Sequence, residues 1–256
     1  MVRGLFTGWT GMYTEQKRLD IISNNIANAA TTGFKADNVT NQSFEHLLTI
    51  KTKDASEMFN DRPIGSMSLG VKVGEVYTDY SNGSLKETSN TFDLALSGKG
   101  FFTVAVTDAN GNESIKYTRD GSFTMTKDGY IVDSQGNRLV SESGELQISV
   151  DAGNVVIASD GSVYVDEQYV DKILITDFVN YDYLEKFADN MYQTVDGYEE
   201  MESNAMIVQG YLEQSNVNVI SEMVEMINIT RAYEANQKVI QTMDTSLEQV
   251  VNLGKV

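Results

Sequence analysis

The 256-residue sequence contains no cysteine. That excludes disulfides, thiol catalysis and cysteine-ligated metal. A single proline, Pro63, stands against 20 glycines, which suggests many tight turns made by glycine. The one histidine, His46 in QSFEHLL, makes neither a catalytic triad nor a zinc site and reads as a surface or packing residue. No stretch approaches the roughly 20 apolar residues of a membrane span. No cleavable signal peptide is read at the start, because the apolar run of MVRGLFTGWTGMY is broken by Thr7, Gly8, Thr10 and Gly11. An exported protein of this sequence needs another route. Basic residues are scarce, 19 against 37 acidic, for a net charge of -18.

That charge is unevenly placed. Residues 1–36 hold four basic and two acidic side chains, and residues 217–256 hold three and five. The stretch between them holds 12 basic and 30 acidic residues and so carries the whole excess. An acidic surface disfavours nucleic acid and anionic lipid as partners. Nearly neutral ends suit close packing against other copies. Hydrophobic content of 41% is enough for a substantial core, in one large domain or two modest ones.

The two ends share a helical pattern. Leu5, Met12, Leu19 and Ile26 recur at heptad spacing, with Ile22 and Ala29 three positions after Leu19 and Ile26. This predicts a narrow seam on a helix of roughly 25 residues. Gly4, Gly8 and Gly11 are expected to weaken its first turns by up to about 1 kcal/mol each. Gly33 is expected to stop the helix. From Asn218 to Leu253, Met226, Tyr233, Ile240 and Leu247 form one heptad series, and Ile229, Asn236, Met243 and Val250 a second. Ala232, Val239 and Leu253 widen that seam. Asn218 is the expected N-cap, with Glu222 and Glu225 in the first turns where the helix dipole favours acid. A helix this long points to a coiled coil or an assembly.

Between the ends the period changes from helical to alternating. VKVGEVYTDY, DLALSGKGFFTVAV, SIKYT, GSFTMT, GYIVDS, LQISV, VVIAS, GSVYV and KILIT read as short antiparallel strands. Asn110-Gly111, Asp120-Gly121, Asp128-Gly129, Gly136-Asn137 and Asp160-Gly161 mark turns. Residues 183–193 are expected as a short helix or covering loop, and 45–70 as a long ordered loop or irregular extension. The predicted class is α+β: a discontinuous N- and C-terminal helical coiled-coil stalk with an inserted, mainly antiparallel β region. The expected segments are an N-terminal axial helix (1–36), an irregular extension and first β part (37–95), a β domain (96–194), a return to the first β part (195–216) and a C-terminal axial helix (217–256). Paired helices would still leave Trp9, Ile21, Ile220, Val224 and Ile227 uncovered, a pattern that marks assembly.

Catalytic material is thin. Acidic pairs such as Asp166-Glu167 and Glu199-Glu200 are expected by chance among 37 carboxylates and read as solvated surface. TDANGNES fails as a calcium loop, because glycine comes at the fourth position from Asp108 and position twelve is Arg119. SGKGFF is too short for a phosphate loop. No catalytic, cofactor or metal residue is assigned. The polar residues that stand out lie on or beside the seams. Asn24, Asn25 and Asn28 end the first helix, and Arg231, Tyr233, Glu234 and Asn236 surround the second seam. Buried polar residues in such seams set register at a cost in stability, and an amide that both donates and accepts can be satisfied by a neighbouring copy.

LDIISNNIANAATTGFK resembles the N-terminal signature of the flagellar basal-body rod and hook axial protein family, with its core at Ala27–Phe34. NTFDLALSGKGFFTV and YTRDGSFTMTKDGYIVDSQGNRLV resemble the family's β domain. QGYLEQSNVNVISEMVEMINITRAYEANQKVIQTMD resembles its C-terminal signature. The matches run in order along the chain. The length and the 45–70 region look most like the distal-rod branch.

The resemblance implies a structural protein, not an enzyme: a rod subunit that polymerises through its terminal helices into a hollow, torque-bearing shaft. It implies export through the flagellar type III channel without a cleaved signal, and location in the flagellar basal body. The implied partners are other copies, other rod and hook proteins, the export apparatus, and a bushing ring or peptidoglycan outside. It also gives Gly33 and Phe34, with the asparagines and Arg231, Tyr233, Glu234 and Asn236, a place in assembly. Two rival readings stand beside it. One is a surface fibre or adhesin with a coiled-coil stalk and acidic β head. The other is a glycan-cleaving enzyme using two of the many carboxylates.

Overall fold

The computed structural model describes residues 2–51, 62–107, 111–150, 153–188 and 190–254. The class is α+β. The chain divides into a helical unit, Met1–Ala27 with Asp37–Asp79 and Asn218–Val256, and a β unit, Asn28–Ala36 with Tyr80–Val217.

In the helical unit, α1 (Val2–Ala27) and α2 (Val219–Leu253) lie against each other. The Asn218 side chain accepts from the Ile220 and Ser221 amides at 3.1 and 3.2 Å, satisfying donors that a helix start leaves open. α1 ends at Ala27, so residues 28–36, expected as the tail of the axial helix, belong instead to the β unit. Four strands complete the helical unit. β1 (Asp37–Ser43) pairs antiparallel with β4 (Val71–Thr78), and β2 (Leu47–Lys51) with β3 (Arg62–Met67). α1 packs on the β1–β4 ribbon, where Thr10 is buried so close to Gly70 that a Cβ there would lie 2.2 Å from Thr10 Oγ1.

The β2–β3 pair corrects the expected irregular 45–70 segment; residues 52–61 of that segment lie outside the described residues. Leu47 and Leu48 are both exposed. Cross-strand hydrogen bonds rather than burial therefore define this pair, and no alternation is written into its sequence.

The β unit is built around a ten-stranded antiparallel sheet. Its strand Phe101–Thr107 pairs with Glu113–Thr118 on one side and with Arg138–Ser141 and Ile175–Phe178 on the other. The alternation of FFTVAV sorts that strand's two faces. Phe102 and Val104 join the larger core with Leu94, Phe123, Leu139 and Ile173. Phe101 joins a second cluster with Tyr117, Phe178 and Tyr192. Burial in that cluster, followed by a 2.7 Å hydrogen bond to Glu200, pushes the Tyr117 phenol well above its ordinary value. A three-stranded sheet (Val155–Ile157, Ser162–Val165, Gln168–Lys172) and two short pairs complete the unit: Leu94–Ser97 with Met206–Gln209, and Leu85–Glu87 with Tyr211–Glu213.

Glycines at 129, 136 and 161 adopt the left-handed turns expected of them. Asn110 lies outside the described residues. Of residues 183–193, Tyr183 ends a single 3-10 turn (Tyr181–Tyr183), and the other described residues form a hairpin rather than a helix or covering loop. Leu184–Phe187 pairs with Met191–Thr194, and Ala188 takes φ 52° at the turn. A left-handed alanine gives no glycine signal, which is why this hairpin is silent in the sequence.

Candidate assembly interface

The helix pair sets the geometry. On α1, Gly4, Gly8 and Gly11 present one face to α2. A Cβ at Gly4 would stand 2.9 Å from Met243 Cε, one at Gly8 3.0 Å from Ile240 Cγ1, and one at Gly11 2.9 Å from Asn236 Nδ2. The order 4–243, 8–240, 11–236 makes the helices antiparallel. These glycines, expected to fray the helix, are what allow the close approach. Further along the same face, Arg18 forms an ion pair with Glu225 and a 3.2 Å one with Glu15, and Ile22 is buried.

The α1 face against α2 is therefore 4, 8, 11, 15, 18, 22 and 25, one residue away from the predicted Leu5–Met12–Leu19–Ile26 series. Those four side chains are half-buried on the flank. A hydrophobicity pattern cannot see a contact face made of glycine and ion pairs.

On α2 the inward face contains Met226, Ile229, Tyr233, Asn236, Ile240, Met243 and Leu247, all buried or half-buried, with Ile229 only 1% exposed. Val250 is 53% exposed, and Val239 and Leu253 are exposed too. The reason at the far end is length: α2 has 35 residues and α1 has 26, and α1 already reaches Met243 at Gly4. Arg231 and Glu234 are exposed on the outer side. Leu19 and Tyr233 line an apolar hollow of about 210 Å³ with Glu15, Gln16 and Thr230.

The three asparagines separate. Asn25 is 1% exposed. Its Nδ2 donates to the Asp37 carbonyl at 2.9 Å, and its Oδ1 accepts from the Asp37 amide at 3.0 Å. The carboxamide thus pairs with β1 as a strand backbone would, within its own chain, and not with a neighbouring copy as expected. Asn24 is exposed on α1. Asn28 lies past the helix, in the β unit, where its Oδ1 accepts from Thr31 Oγ1 at 3.2 Å in a tight turn.

Gly33 and Phe34 also serve the β unit. Gly33 has φ +67°, and a Cβ there would lie 2.4 Å from the Arg119 carbonyl carbon, so glycine is required on both counts. Phe34 is buried beneath the Lys186 ammonium, 4.6 Å from its ring centroid. The sequence reading did not single out the next residue, Lys35. Its Nζ meets Glu213 Oε1 at 2.6 Å, and Arg119 meets Glu213 Oε2 at 3.1 Å, with all three side chains buried. The signal was position: Lys35 closes one signature stretch and Glu213 lies near the start of the other.

Among the described residues no group of three or more metal-ligating side chains is present, and no helix is long and apolar enough to cross a membrane. Family models match the chain in order. The basal body rod protein model covers residues 5–35, the D1 domain of the hook protein FlgE/F/G covers 95–165, and the C-terminal part of the rod FlgEFG proteins covers 208–253. The chain is 34% identical to the basal-body rod protein FlgG of Buchnera aphidicola subsp. Schizaphis graminum over 99% of its length and 100% of that protein's. It is 32% identical to FlgG of Bacillus subtilis and 35% identical to the rod protein FlgF of Caulobacter vibrioides, each over the full length of both chains.

The chain belongs to the flagellar basal-body rod protein family. It is a structural subunit of the bacterial flagellar rod, and these matches do not favour the surface-fibre reading. Rod-family membership places it in the flagellar basal body, among the other basal-body components. The first match spans α1 and the 28–35 turn. The last spans α2 and the strand that carries Glu213.

Proposed function

We propose that this chain is a distal-rod subunit, which polymerises through α1 and α2 into a hollow, torque-transmitting shaft. The observation that carries the reading is the full-length similarity to FlgG proteins from several bacteria, joined to a helix pair that leaves Phe6, Trp9, Tyr13, Ile220, Val224 and Ile227 exposed. In the assembled shaft the pair packs as a coiled coil against neighbouring copies. Asn24, Asn28, Arg231 and Glu234 set register between copies, while Tyr233 and Asn236 set it within the pair. The subunit leaves the cell through the flagellar type III channel without a cleaved signal. It meets other rod and hook proteins along the axis and a bushing ring or peptidoglycan outside. The match to FlgF supports a second reading, another position in the same rod.

Proteomics on purified hook–basal bodies, with a whole-envelope control, tests this. Enrichment with hook and rod proteins is expected, and the stoichiometry assigns the rod position. Presence in the envelope with absence from intact basal bodies overturns it.

A further inference from the structure

Two crossovers of the β unit lie side by side. Residues 179–183 join the strand Ile175–Phe178 to Leu184–Phe187, and residues 195–199 join Met191–Thr194 to Glu200–Glu202. Their ends are zipped together: the Val179 amide donates to the Glu199 carbonyl at 3.2 Å, and the Val195 amide to the Tyr183 carbonyl at 2.9 Å. Tyr181 turns inward, stacks on Tyr80 at 4.9 Å and donates its hydroxyl to Asp177 at 2.6 Å. The Asn180 side chain caps the turn by accepting from the Asp182 amide at 3.0 Å. The outer side chains therefore stand on a fixed base. They are apolar, where a solvated crossover needs none. Val179 is 64% exposed, Val195 47%, Tyr183 41% and Tyr198 42%. Gly197 brings the second crossover against the first, since a Cβ there would lie 3.5 Å from Tyr183 Cε1. Two part-exposed tyrosines and two valines leave on the order of 300 Å², the size of patch that marks an interaction site.

The rim of this patch is acidic. Asp182, Asp196 and Glu199 are exposed on the crossovers themselves, and Glu185 and Glu202 on the strands beside them. Residues 177–202 hold eight acids and one base. That base, Lys186, is engaged elsewhere: its ammonium donates to the Lys35 carbonyl at 3.0 Å and sits 4.6 Å from the Phe34 ring centroid. On the adjoining strand, Lys116 donates to Gln193 at 3.1 Å and lies over the Phe187 ring. We propose that the patch docks a basic partner protein, which sets an apolar side chain among Val179, Tyr183, Val195 and Tyr198 and lysine or arginine on the surrounding carboxylates. An apolar centre with tyrosine, inside a polar rim, is the anatomy of a protein interface. The rim fixes the sign of the occupant. It repels the same acidic surface of a second copy, and anionic lipid with it. The contact uses the β unit alone, so it goes beyond the assembly of the helices and does not depend on it.

Binding of defined peptides to the purified full-length chain tests the chemistry of the patch. Two synthetic peptides of equal charge are titrated, one of lysine and serine, the other of lysine and leucine. The leucine peptide is expected to bind about tenfold more tightly, the worth of one buried leucine. Val179→Ser with Tyr198→Ser is expected to remove that difference, and Ile115→Ser, at an exposed apolar position elsewhere, to keep it. Unchanged urea midpoints check that the variants fold. No preference for the leucine peptide, or a preference that survives in the patch variant, overturns the proposal. Photo-crosslinking in cells then tests the occupant, with p-benzoylphenylalanine in place of Val179 or, separately, of Tyr198. The expected adduct joins a different protein through a segment in which Lys and Arg outnumber Asp and Glu, and it is lost when Asp182→Lys and Asp196→Lys are added. No adduct at either position, an adduct with another copy of this chain, one through an acidic segment, or one that survives the charge reversal overturns the proposal and leaves the rod reading standing.

Discussion

At Gly8 of α1 two residue-level effects oppose each other. Leucine there would favour the helix by about 1 kcal/mol. It would also drive a side chain into Ile240, whose Cγ1 lies 3.0 Å from the position of a Cβ. Overpacking of this kind costs about 1–3 kcal/mol, so the clash wins. Gly8→Leu is expected to lower the melting temperature of the helical circular dichroism signal, and adding Ile240→Ala is expected to recover part of the loss. An equal or higher melting temperature in Gly8→Leu would show that the helices do not approach closely here. Asn25 gives a second case. In Asn25→Leu the Asp37 amide and carbonyl lose their partner inside the unit, at about 1–3 kcal/mol. Faster hydrogen exchange at the Asp37 amide, with no change at distant β-unit amides, is the expected signature. Neither site was legible as such. Glycine reads as weakness and asparagine as a contact to a neighbouring copy until the partner lying opposite is known.

Among the elements, α2 was the most legible because its inward side chains are mostly apolar and keep heptad spacing, and a side-chain cap marks its start. β1 was not, since DNVTNQS holds one apolar residue and is defined by β4 opposite. Antiparallel turns marked by glycine were legible, and the left-handed Ala188 turn was not. The buried Lys35–Glu213–Arg119 group joins three elements far apart in sequence, so no local pattern announces it. Removing the Glu213 carboxylate takes an ion-pair partner from both buried cations. Glu213→Ala is expected to destabilise the β unit by about 3–5 kcal/mol, read as a lower urea midpoint of the near-ultraviolet signal. The strand Gln168–Lys172 carries a pH dependence. Burial pushes the Asp171 carboxyl up, but donors from Ser141, Ser143 and the Lys172 amide outweigh it and hold the carboxyl below its ordinary value. A depressed folded value stabilises above the unfolded one, near pH 4, and is lost as pH falls through the folded one. The urea midpoint should therefore fall more steeply below about pH 4 in the native chain than in Asp171→Asn.

For the whole molecule, the -18 net charge lies in residues 37–216 and repels other copies, against the attraction proposed for the helices. Raising salt from about 0.01 to about 0.15 M shortens the screening length from about 30 to about 8 Å. Self-assembly of the purified chain, followed by light scattering, should accelerate over that range. Slower assembly would mean that intermolecular ion pairs dominate. Strand order was not readable, because the pairs Leu85–Glu87 with Tyr211–Glu213 and Leu94–Ser97 with Met206–Gln209 are set by distant partners rather than by turns. That same feature governs when the chain can fold. Lys35 and Glu213 are 178 residues apart, and the two short strand pairs, from Met206↔Ser97 to Glu213↔Leu85, also close over long spans. Contacts of such range form late and slowly. A chain passing lengthwise through a narrow channel, whichever end leads, cannot complete its β unit until both partners have emerged. On the proposed export route, closure of the β unit therefore falls after transit rather than during it.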